Sequence, residues 1–152
     1  MKEYDYSQFG YYFITICIKN REEFFSTIEN SMVVLSKFGK IIDEILINIP
    51  SYYNVEIDYY VIMPDHIHLI ILLDKDKNKK NYSLSDVIGK FKSFSSKKIR
   101  EVLEVEEKFE WQKTFYDRII RNEKELYQIR KYILENPLRW DIEKDNSENL
   151  MM

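Results

Sequence analysis

The sequence predicts an α+β fold, in which an antiparallel sheet with the element order β-α-β-β-α-β is followed by an additional C-terminal helix. Short runs of aromatic and β-branched residues alternate with segments that place an apolar residue at every third or fourth position. The chain has only three glycines and three prolines, which favours long elements with short connections. Its 152 residues are enough for one hydrophobic core, and we expect a single domain over residues 1–152.

The first half of the chain supplies three strands and one helix. Residues 11–18 (YYFITICI) are aromatic and β-branched, and they predict the first strand. Residues 32–49 place apolar side chains at steps of three and four, which predicts an amphipathic helix that stops before Pro50. Two further apolar runs, residues 55–63 and 66–73, are separated by a Pro-Asp dipeptide and predict an antiparallel hairpin.

The second half opens with residues 74–83, which are polar and charged without periodicity and predict a mobile loop. Ser83 or Ser85 is placed to cap a helix whose apolar positions continue to Leu103. Residues 111–120 predict the fourth strand of the sheet.

The final helix begins with a capping-box-like pair, Asn122 followed by Glu125. We expect this helix to end at Asn136, because the residue before a proline avoids the helical region. Residues 141–152 are acidic and weakly hydrophobic, and we expect them to form a frayed tail. The whole order is that of a ferredoxin-like sheet with its helices on one face and an extra helix at the C-terminal end.

Composition narrows the class of protein. A mean hydropathy of -0.44 and the lack of any apolar run of membrane-spanning length predict a soluble protein. The first ten residues do not resemble a secretory signal, so we expect a cytoplasmic location. The lone cysteine, Cys17, lies in an apolar alternation, which is typical of a small buried core residue in a reducing compartment.

Charge is unevenly distributed along the chain. The net charge is -3, but residues 75–100 hold nine basic and two acidic groups, whereas the rest of the chain holds 14 basic and 24 acidic groups. One explanation is a solvated loop and helix face; the other is a surface for a polyanion. Under the second explanation, the residues that would bind DNA phosphates include Lys90, Lys92, Lys97 and Lys98.

Both histidines of the chain lie in the sequence His66-Ile67-His68 at the start of the predicted third strand. Because a strand has a period of two, both imidazoles project from one face while Ile67 points into the opposite layer. Two parallel imidazoles on a rigid strand suit a divalent metal, with a third, oxygen ligand from elsewhere in the chain. The alternative is a pair of hydrogen-bonded histidines at the edge of a sheet.

Five ordered blocks extend this motif over roughly residues 11–140. Together they resemble the REP-associated tyrosine transposases, a branch of the single-tyrosine HUH transposases. The blocks are Tyr60 to Leu69 (YVIMPDHIHL), Phe91-Lys92-Ser93, Trp111-Gln112 with Phe115-Tyr116-Asp117, Ile120-Arg121-Asn122, and Tyr132 to Pro137 (YILENP).

The resemblance implies an enzyme that cuts single-stranded DNA near a hairpin and rejoins it through a 5'-phosphotyrosine. It implies that His66 and His68 bind Mg2+ or Mn2+ with Asn136 as third ligand, and that Tyr132 is the nucleophile. Relatives are often homodimers, some of which donate the tyrosine helix to the partner, and the sequence leaves cis and trans action open. Two positions depart from the pattern: Asp65 stands where relatives commonly have Asn, and Asn136 where insertion-sequence relatives generally have Gln.

Helical geometry gives an independent reason to choose Tyr132 among twelve tyrosines. At about 100° per residue, Tyr132 and Asn136 lie about 40° apart on one shoulder of the apolar stripe, whereas Tyr127 lies on the other shoulder. Only Tyr132 therefore shares a face with the proposed amide ligand.

Other positions are open to more than one interpretation. Arg118 and Arg121 flank the end of the last strand and could contact DNA, and Tyr82 or Phe94 could stack on bases. We expect Phe94 to lie in the core and Trp111 to be a packing residue. Two other functions remain open: a non-catalytic DNA-binding regulator derived from such a transposase, and a metal-dependent hydrolase of small phosphoesters.

Overall fold

The structure is a computed structural model that describes residues 10–53, 55–74 and 82–151, with side chains as far as Lys144 in the last helix. In chain order its elements are β1 (Gly10–Cys17), β2 (Ser26–Glu29), β3 (Met32–Leu35), α1 (Lys37–Tyr53), β4 (Glu56–Ile62), β5 (His66–Leu73), α2 (Leu84–Val102), β6 (Tyr116–Ile120) and α3 (Glu123–Met151). Residues 75–81 of the loop expected at 74–83 lie outside the described residues.

Four strands form an antiparallel sheet in the order β4-β5-β1-β6, and β2 pairs with β3 in a separate hairpin. The predicted α+β class and the ferredoxin-like strand order are confirmed. Helices α1 and α2 cover one face of the sheet, and α3 packs on the other face against β4 and the β2–β3 hairpin. The sheet therefore separates a layer formed by α1 and α2 from a layer formed by α3.

Strand alternation assigns side chains to these two layers. On β5, Ile67, Leu69 and Ile71 are fully or almost fully buried in the larger core under α1 and α2. Ile70 points the other way, into a smaller core beneath α3. That smaller core also contains Val61, Met63, Ile120, Ile129 and Ile133.

The β2–β3 hairpin was not predicted, and the expected helix over residues 32–49 begins later. Asn30 and Ser31 both take positive φ (51° and 61°), as a tight two-residue hairpin turn requires. The Oγ of Ser36 then accepts the backbone N–H of Gly39 at 3.1 Å and caps α1. Residues 32–35 are apolar, so their steps merge with those of the true helix, and periodicity alone does not separate the two.

Both expected helix stops at prolines are wrong. Helix α1 continues through Pro50 to Tyr53, and α3 continues through Pro137 to Met151. A proline removes one helical hydrogen bond, but tertiary contacts on both sides can keep the helix continuous. Beyond Pro137, Trp140 packs against the smaller core and Asp141 accepts the backbone N–H of Ser31 at 2.5 Å. Fraying of residues 141–152 stays a prediction.

The expected strand over residues 111–120 is shortened to β6. Trp111 makes only an isolated bridge to Ile18, and its indole N–H donates to the Oγ of Ser95 at 3.0 Å. Trp111 is thus a packing residue, as predicted, and its insertion towards α2 takes the chain out of the sheet. Phe94, expected in the core, is instead 47% exposed.

The predicted starts of α2 and α3 are confirmed. Ser83 forms a capping box with Asp86 at the start of α2. Asn122 accepts the backbone N–H of Glu125, whose carboxylate accepts the N–H of Arg121, at the start of α3. Cys17 is buried, as expected, and burial raises the pKa of its thiol. Across residues 10–53, 55–74 and 82–151, no helix has the length and apolarity needed to cross a bilayer.

Gly39 tests the contact between α1 and the segment before β2. A Cβ at this position would collide with the carbonyl oxygen of Phe25, which is backbone and cannot swing away. Gly39→Ala should lower the free energy of unfolding by about 1–3 kcal/mol. Gly89 is the matched control, because a Cβ there meets nothing within 4 Å, so Gly89→Ala should raise stability by about 1 kcal/mol. Urea titration measures both, and a stabilised Gly39→Ala would contradict the proposed packing.

Candidate functional site

A cavity of about 310 Å³ lies on the α3 side of the sheet. Residues from β1, β5, α3 and the turn after β1 line it. They are Thr15, Arg21, His66, His68, Tyr132, Asn136, Arg139, Trp140 and Glu143. All four residues predicted to form the catalytic centre, His66, His68, Tyr132 and Asn136, therefore meet at one cavity.

The two histidines converge there because β5 alternates. Each is 7% exposed, and their imidazole Nε2 atoms lie 3.1 Å apart. Ile67, between them, is fully buried in the larger core and fixes the strand. Both rings therefore face the cavity side by side, as the period of two predicted.

The other ring nitrogen of each histidine is already engaged. The Nδ1 of His68 lies 2.8 Å from the Oγ1 of Thr15, which is its cross-strand partner on β1. The Nδ1 of His66 lies 2.6 Å from a carboxylate oxygen of Asp65. Such partners fix ring orientation and leave Nε2 as the nitrogen available to a ligand.

Asp65 also binds Arg21, which sequence reasoning missed. The Nε of Arg21 donates to the second carboxylate oxygen of Asp65 at 2.8 Å. Asn20 and Arg21 both take positive φ (61° and 54°), an unusual conformation for residues other than glycine. This turn brings the half-exposed guanidinium to the mouth of the cavity, and only the backbone conformation, not a sequence pattern, could have revealed it.

Electrostatics keep one histidine neutral. Burial, together with the charges of His66 and Arg21, lowers the pKa of His68 to about 3, against a smaller opposite effect of Asp65. Burial raises the pKa of Asp65, but hydrogen bonds from His66 and Arg21 outweigh burial and hold that pKa below its ordinary value. At neutral pH, His68 thus presents an unprotonated imidazole beside an ionised carboxylate.

Tyr132 and Asn136 approach the histidines from α3. The Tyr132 ring packs edge-on against His68, with ring centroids 5.4 Å apart, and against Phe13 at 6.0 Å. Asn136 is 7% exposed, and its amide N–H donates to the backbone carbonyl of Tyr132 at 3.1 Å. Tyr127 is 69% exposed and is absent from the cavity lining. The predicted difference in orientation between the two tyrosines is confirmed.

Arg139 was also missed by sequence reasoning. Its guanidinium carbon lies 4.6 Å from the centroid of the Tyr132 ring, within cation–π distance. Seven residues on a continuous helix return to nearly the same face, so periodicity could have found Arg139. The assumed stop at Pro137 concealed it.

Contacts within the same chain fasten α3 over the sheet. Arg130 binds both carboxylate oxygens of Asp58 on β4 at 2.7 Å. Ile129 and Ile133, on the same helix, are buried in the smaller core. Together with the Asp141 contact to the hairpin, these interactions hold the Tyr132 turn of α3 against its own chain.

The α2 lysines are not at this cavity. Lys90, Lys97 and Lys98 line a larger groove, about 770 Å³, between α1 and α2 on the opposite side of the sheet. Lys92 donates to the backbone carbonyls of Gln112 and Thr114 at 2.8 and 3.1 Å, which is a structural role. Their binding of DNA stays a prediction, separate from the histidine pair.

Arg118 and Arg121, near the last strand, lie closer to the histidine side of the sheet than the α2 lysines do. Arg118 is on β6, opposite Phe13 in register and therefore on the histidine face of the sheet. Arg118 and Arg121 line a shallow cavity with Glu125.

The donor set fits a small divalent metal. Mg2+ binds octahedrally at about 2.0–2.1 Å, which puts neighbouring donors about 3.0 Å apart, close to the 3.1 Å between the Nε2 atoms. No cluster of three His, Cys, Asp or Glu side chains with metal-binding geometry occurs among the residues that the structure describes. Asn136, whose amide lines the same cavity, was the predicted third ligand, and that assignment stays a prediction.

Comparison with known proteins gives consistent results. The family model described as "Transposase IS200 like" matches residues 7–136. An uncharacterized protein of Haemophilus influenzae is 35% identical, over 93% of this chain and 87% of its own length. A second protein of that organism, described as "Putative REP-associated tyrosine transposase", is 24% identical over 89% of this chain and 74% of its own length.

A solved structure has the same fold. It is a REP-associated tyrosine transposase bound to a REP hairpin, with a TM-score of 0.67 and 23% identity over 91% of this chain and 74% of that chain.

The buried neutral imidazole predicts acid sensitivity in metal-free protein. In the unfolded chain His68 is protonated below its pKa of 6.5, whereas in the folded chain it stays neutral down to about pH 3. The free energy of unfolding should therefore be highest above pH 6.5 and should fall as the pH drops from 6.5 to about 3. At about pH 4.5 the loss should reach roughly 3 kcal/mol.

Urea unfolding in EDTA at a series of pH values measures this loss. The lowered pKa of Asp65 also reduces stability at low pH, but only below its unfolded value of 3.8. Asp65 therefore does not contribute to the loss between pH 6.5 and about 4.5. His68→Gln should flatten the profile between pH 6.5 and about 4.5. An identical profile in both proteins would show that His68 is not the responsible group.

Proposed function

The chain belongs to the IS200-like transposase family, and on that basis we propose that it is a metal-dependent endonuclease of single-stranded DNA that cuts and rejoins strands through a 5'-phosphotyrosine. The observation that carries this proposal is the convergence of two imidazole Nε2 atoms, 3.1 Å apart, in the cavity that also contains Tyr132. A nucleophile beside a pair of metal donors is an arrangement suited to metal-assisted phosphoryl transfer.

His66, His68 and Asn136 would hold Mg2+ or Mn2+. When bound, the ion would neutralise charge on the non-bridging oxygens and polarise the phosphorus. Thr15 and Asp65 contribute by holding both Nδ1 atoms, so that the imidazoles need no reorientation before coordination. The low pKa of His68 removes competition from protons at neutral pH.

Tyr132 would carry out the covalent step. Its phenolic oxygen forms a bond to phosphorus as the bond to the 3'-oxygen breaks, giving a 5'-phosphotyrosine and a free 3'-hydroxyl. The phenolic proton is lost to solvent, and the departing oxygen takes up a proton. Because one phosphodiester replaces another, attack by a 3'-hydroxyl on the adduct reverses the step and joins strands, and no nucleotide cofactor is needed.

Two arginines would support that step electrostatically. Arg139 lies over the Tyr132 ring, and Arg21 lies at the cavity mouth with its Nε anchored to Asp65. Both guanidinium groups bring positive charge to the place where the phosphate would sit, which favours the additional negative charge of the transition state. The packing of Phe13 and His68 against the Tyr132 ring limits its rotation.

We also propose that Tyr132 acts in cis. The Arg130–Asp58 ion pair and the buried Ile129 and Ile133 hold α3 on the sheet of its own chain. Exchange of this helix with a partner would require these contacts to break. Cis action is compatible with the expected homodimer, which remains a proposal.

Single-stranded or hairpin DNA is the proposed substrate. One protein of the same fold is described as bound to a REP hairpin. In this chain the cavity is polar and open, and it is flanked by Arg21 and Arg139, which suits a phosphodiester better than a small apolar ligand.

The metal proposal predicts that His66→Ala combined with His68→Ala abolishes Mn2+ binding, because both coordinating nitrogens are removed. Isothermal titration calorimetry measures the affinity, and circular dichroism checks that the fold persists. Tyr132→Phe is the control and should bind Mn2+ like the unaltered protein. Unchanged Mn2+ affinity in the folded double variant would exclude this metal site.

The nucleophile proposal predicts that Tyr132→Phe keeps DNA and Mn2+ binding but reduces cleavage to background. The substitution retains the ring that packs against Phe13 and His68 and removes only the oxygen. Tyr127→Phe, on the same helix but away from the cavity, should cleave normally. The assay is a denaturation-resistant adduct between the protein and labelled single-stranded DNA in the presence of Mn2+, mapped by mass spectrometry.

The same assay separates the other functions. A DNA-binding regulator would bind DNA without forming an adduct, and a phosphoester hydrolase would release product without one. An adduct on any residue other than Tyr132 would refute the assignment. Mixing Tyr132→Phe with the double-histidine variant is the control for cis action, since only exchange of α3 between chains would restore cleavage.

A further inference from the structure

The sheet face that carries the histidines is only partly covered. Helix α3 packs over β4 and the β2–β3 hairpin and leaves much of the β6 side open. Tyr116 is 63% exposed there, and the side chain of Arg118 is 66% exposed. Arg121, just after β6, is also exposed. We call Tyr116, Arg118 and Arg121 the β6 strip.

Strand register places this strip in line with the histidine pair. His68 on β5 is opposite Thr15 on β1, and Thr15 is opposite Tyr116 on β6. The three side chains form one row across the histidine face, since directly opposed residues point to the same side of a sheet. Two strand spacings separate His68 from Tyr116, or about 10 Å. Nucleotides flanking a phosphate at the histidines would reach this distance.

The strip combines an aromatic face with positive charge. Arg118 lies two residues after Tyr116 and thus on the same face of β6. The carboxylate of Glu125 lies 3.8 Å from Arg118, beyond hydrogen-bond distance, so it does not lock the guanidinium in place. A shallow cavity of about 320 Å³ separates the arginines and could receive a phosphate.

We propose that the β6 strip binds the single strand next to the cut phosphate, with Tyr116 stacked on an unpaired base and Arg118 and Arg121 on backbone phosphates. The inference rests on the proposed function and adds to it a path for the DNA. Aromatic stacking combined with cationic phosphate contacts is the general solution for single-strand binding without strict sequence readout. In a duplex the bases are stacked on one another, so Tyr116 favours an unpaired strand.

A competing path runs over the opposite side of the protein. Lys90, Lys97 and Lys98 line the groove between α1 and α2, where exposed Phe94 could also stack on a base. A strand bound there would be separated from the histidines by the whole sheet. The row from His68 to Tyr116 has no such barrier, which is why the β6 strip is favoured.

Fluorescence anisotropy with a labelled single-stranded oligonucleotide of mixed sequence tests the proposal, in a Tyr132→Phe background with Mn2+ so that cleavage does not interfere. Tyr116→Ala should weaken binding about tenfold, and Tyr116→Phe, which keeps the ring, should restore it. Arg118→Gln should reduce the slope of log affinity against log salt by about 0.7. Tyr127→Ala removes an equally exposed tyrosine outside the strip and should have no effect.

The outcomes separate the strip from the function on which it rests. If the unaltered protein forms the Mn2+-dependent adduct but Tyr116→Ala and Arg118→Gln bind like their parent, the strip is wrong and the proposed function stands. A salt slope that falls only on replacing Lys90, Lys97 and Lys98 by glutamine would move the DNA to the α1–α2 groove. If the unaltered protein neither binds the oligonucleotide nor forms an adduct, both proposals fail.

Discussion

The contact on which the candidate site depends is the approach of two buried imidazoles, with their Nε2 atoms 3.1 Å apart. Burying two such rings is costly unless their polar atoms are satisfied. Thr15 and Asp65 satisfy the two Nδ1 atoms, and Arg21 in turn satisfies Asp65. This chain of hydrogen bonds joins β1, the turn after it and the start of β5, so the strand pairing that builds the sheet also builds the site.

The division of the sheet into two faces follows from the same alternation. The larger core under α1 and α2 contains most of the buried apolar side chains, whereas the face under α3 contains the histidines and a smaller core. The isoleucines of α3 complete that smaller core, and with the Arg130–Asp58 ion pair they set the distance of Tyr132 from the histidines. Most of the apolar burial thus lies on one face of the sheet and the proposed chemistry on the other, with β5 and β1 contributing to both.

Much of this arrangement could be predicted from sequence, because it follows from periodicity. The period of two placed His66 and His68 on one face of a strand, and the helical offset placed Tyr132 and Asn136 on one face of a helix. That the two pairs form one site was implied by the resemblance to the tyrosine transposases. The β2–β3 hairpin could not be found in this way, because the apolar residues of β3 merge with the helical pattern that follows. Arg139 was not predicted, because a helix was expected to end before Pro137. Tertiary packing around Pro137 keeps α3 continuous instead. Arg21 depends on two consecutive positive φ angles, for which the sequence carries no signal.

The attachment of α3 also has a mechanical consequence. If a DNA strand is joined covalently to Tyr132, as proposed, any tension in the DNA would pass directly to this helix. On the N-terminal side of Tyr132 that tension meets the paired hydrogen bonds of Arg130 to Asp58, and on the C-terminal side the contact of Asp141 with the turn of the hairpin. The proposed nucleophile is therefore held from both directions. Tension in the strand would act on the sheet and the hairpin together and would not bend a free helix away from the departing 3'-hydroxyl.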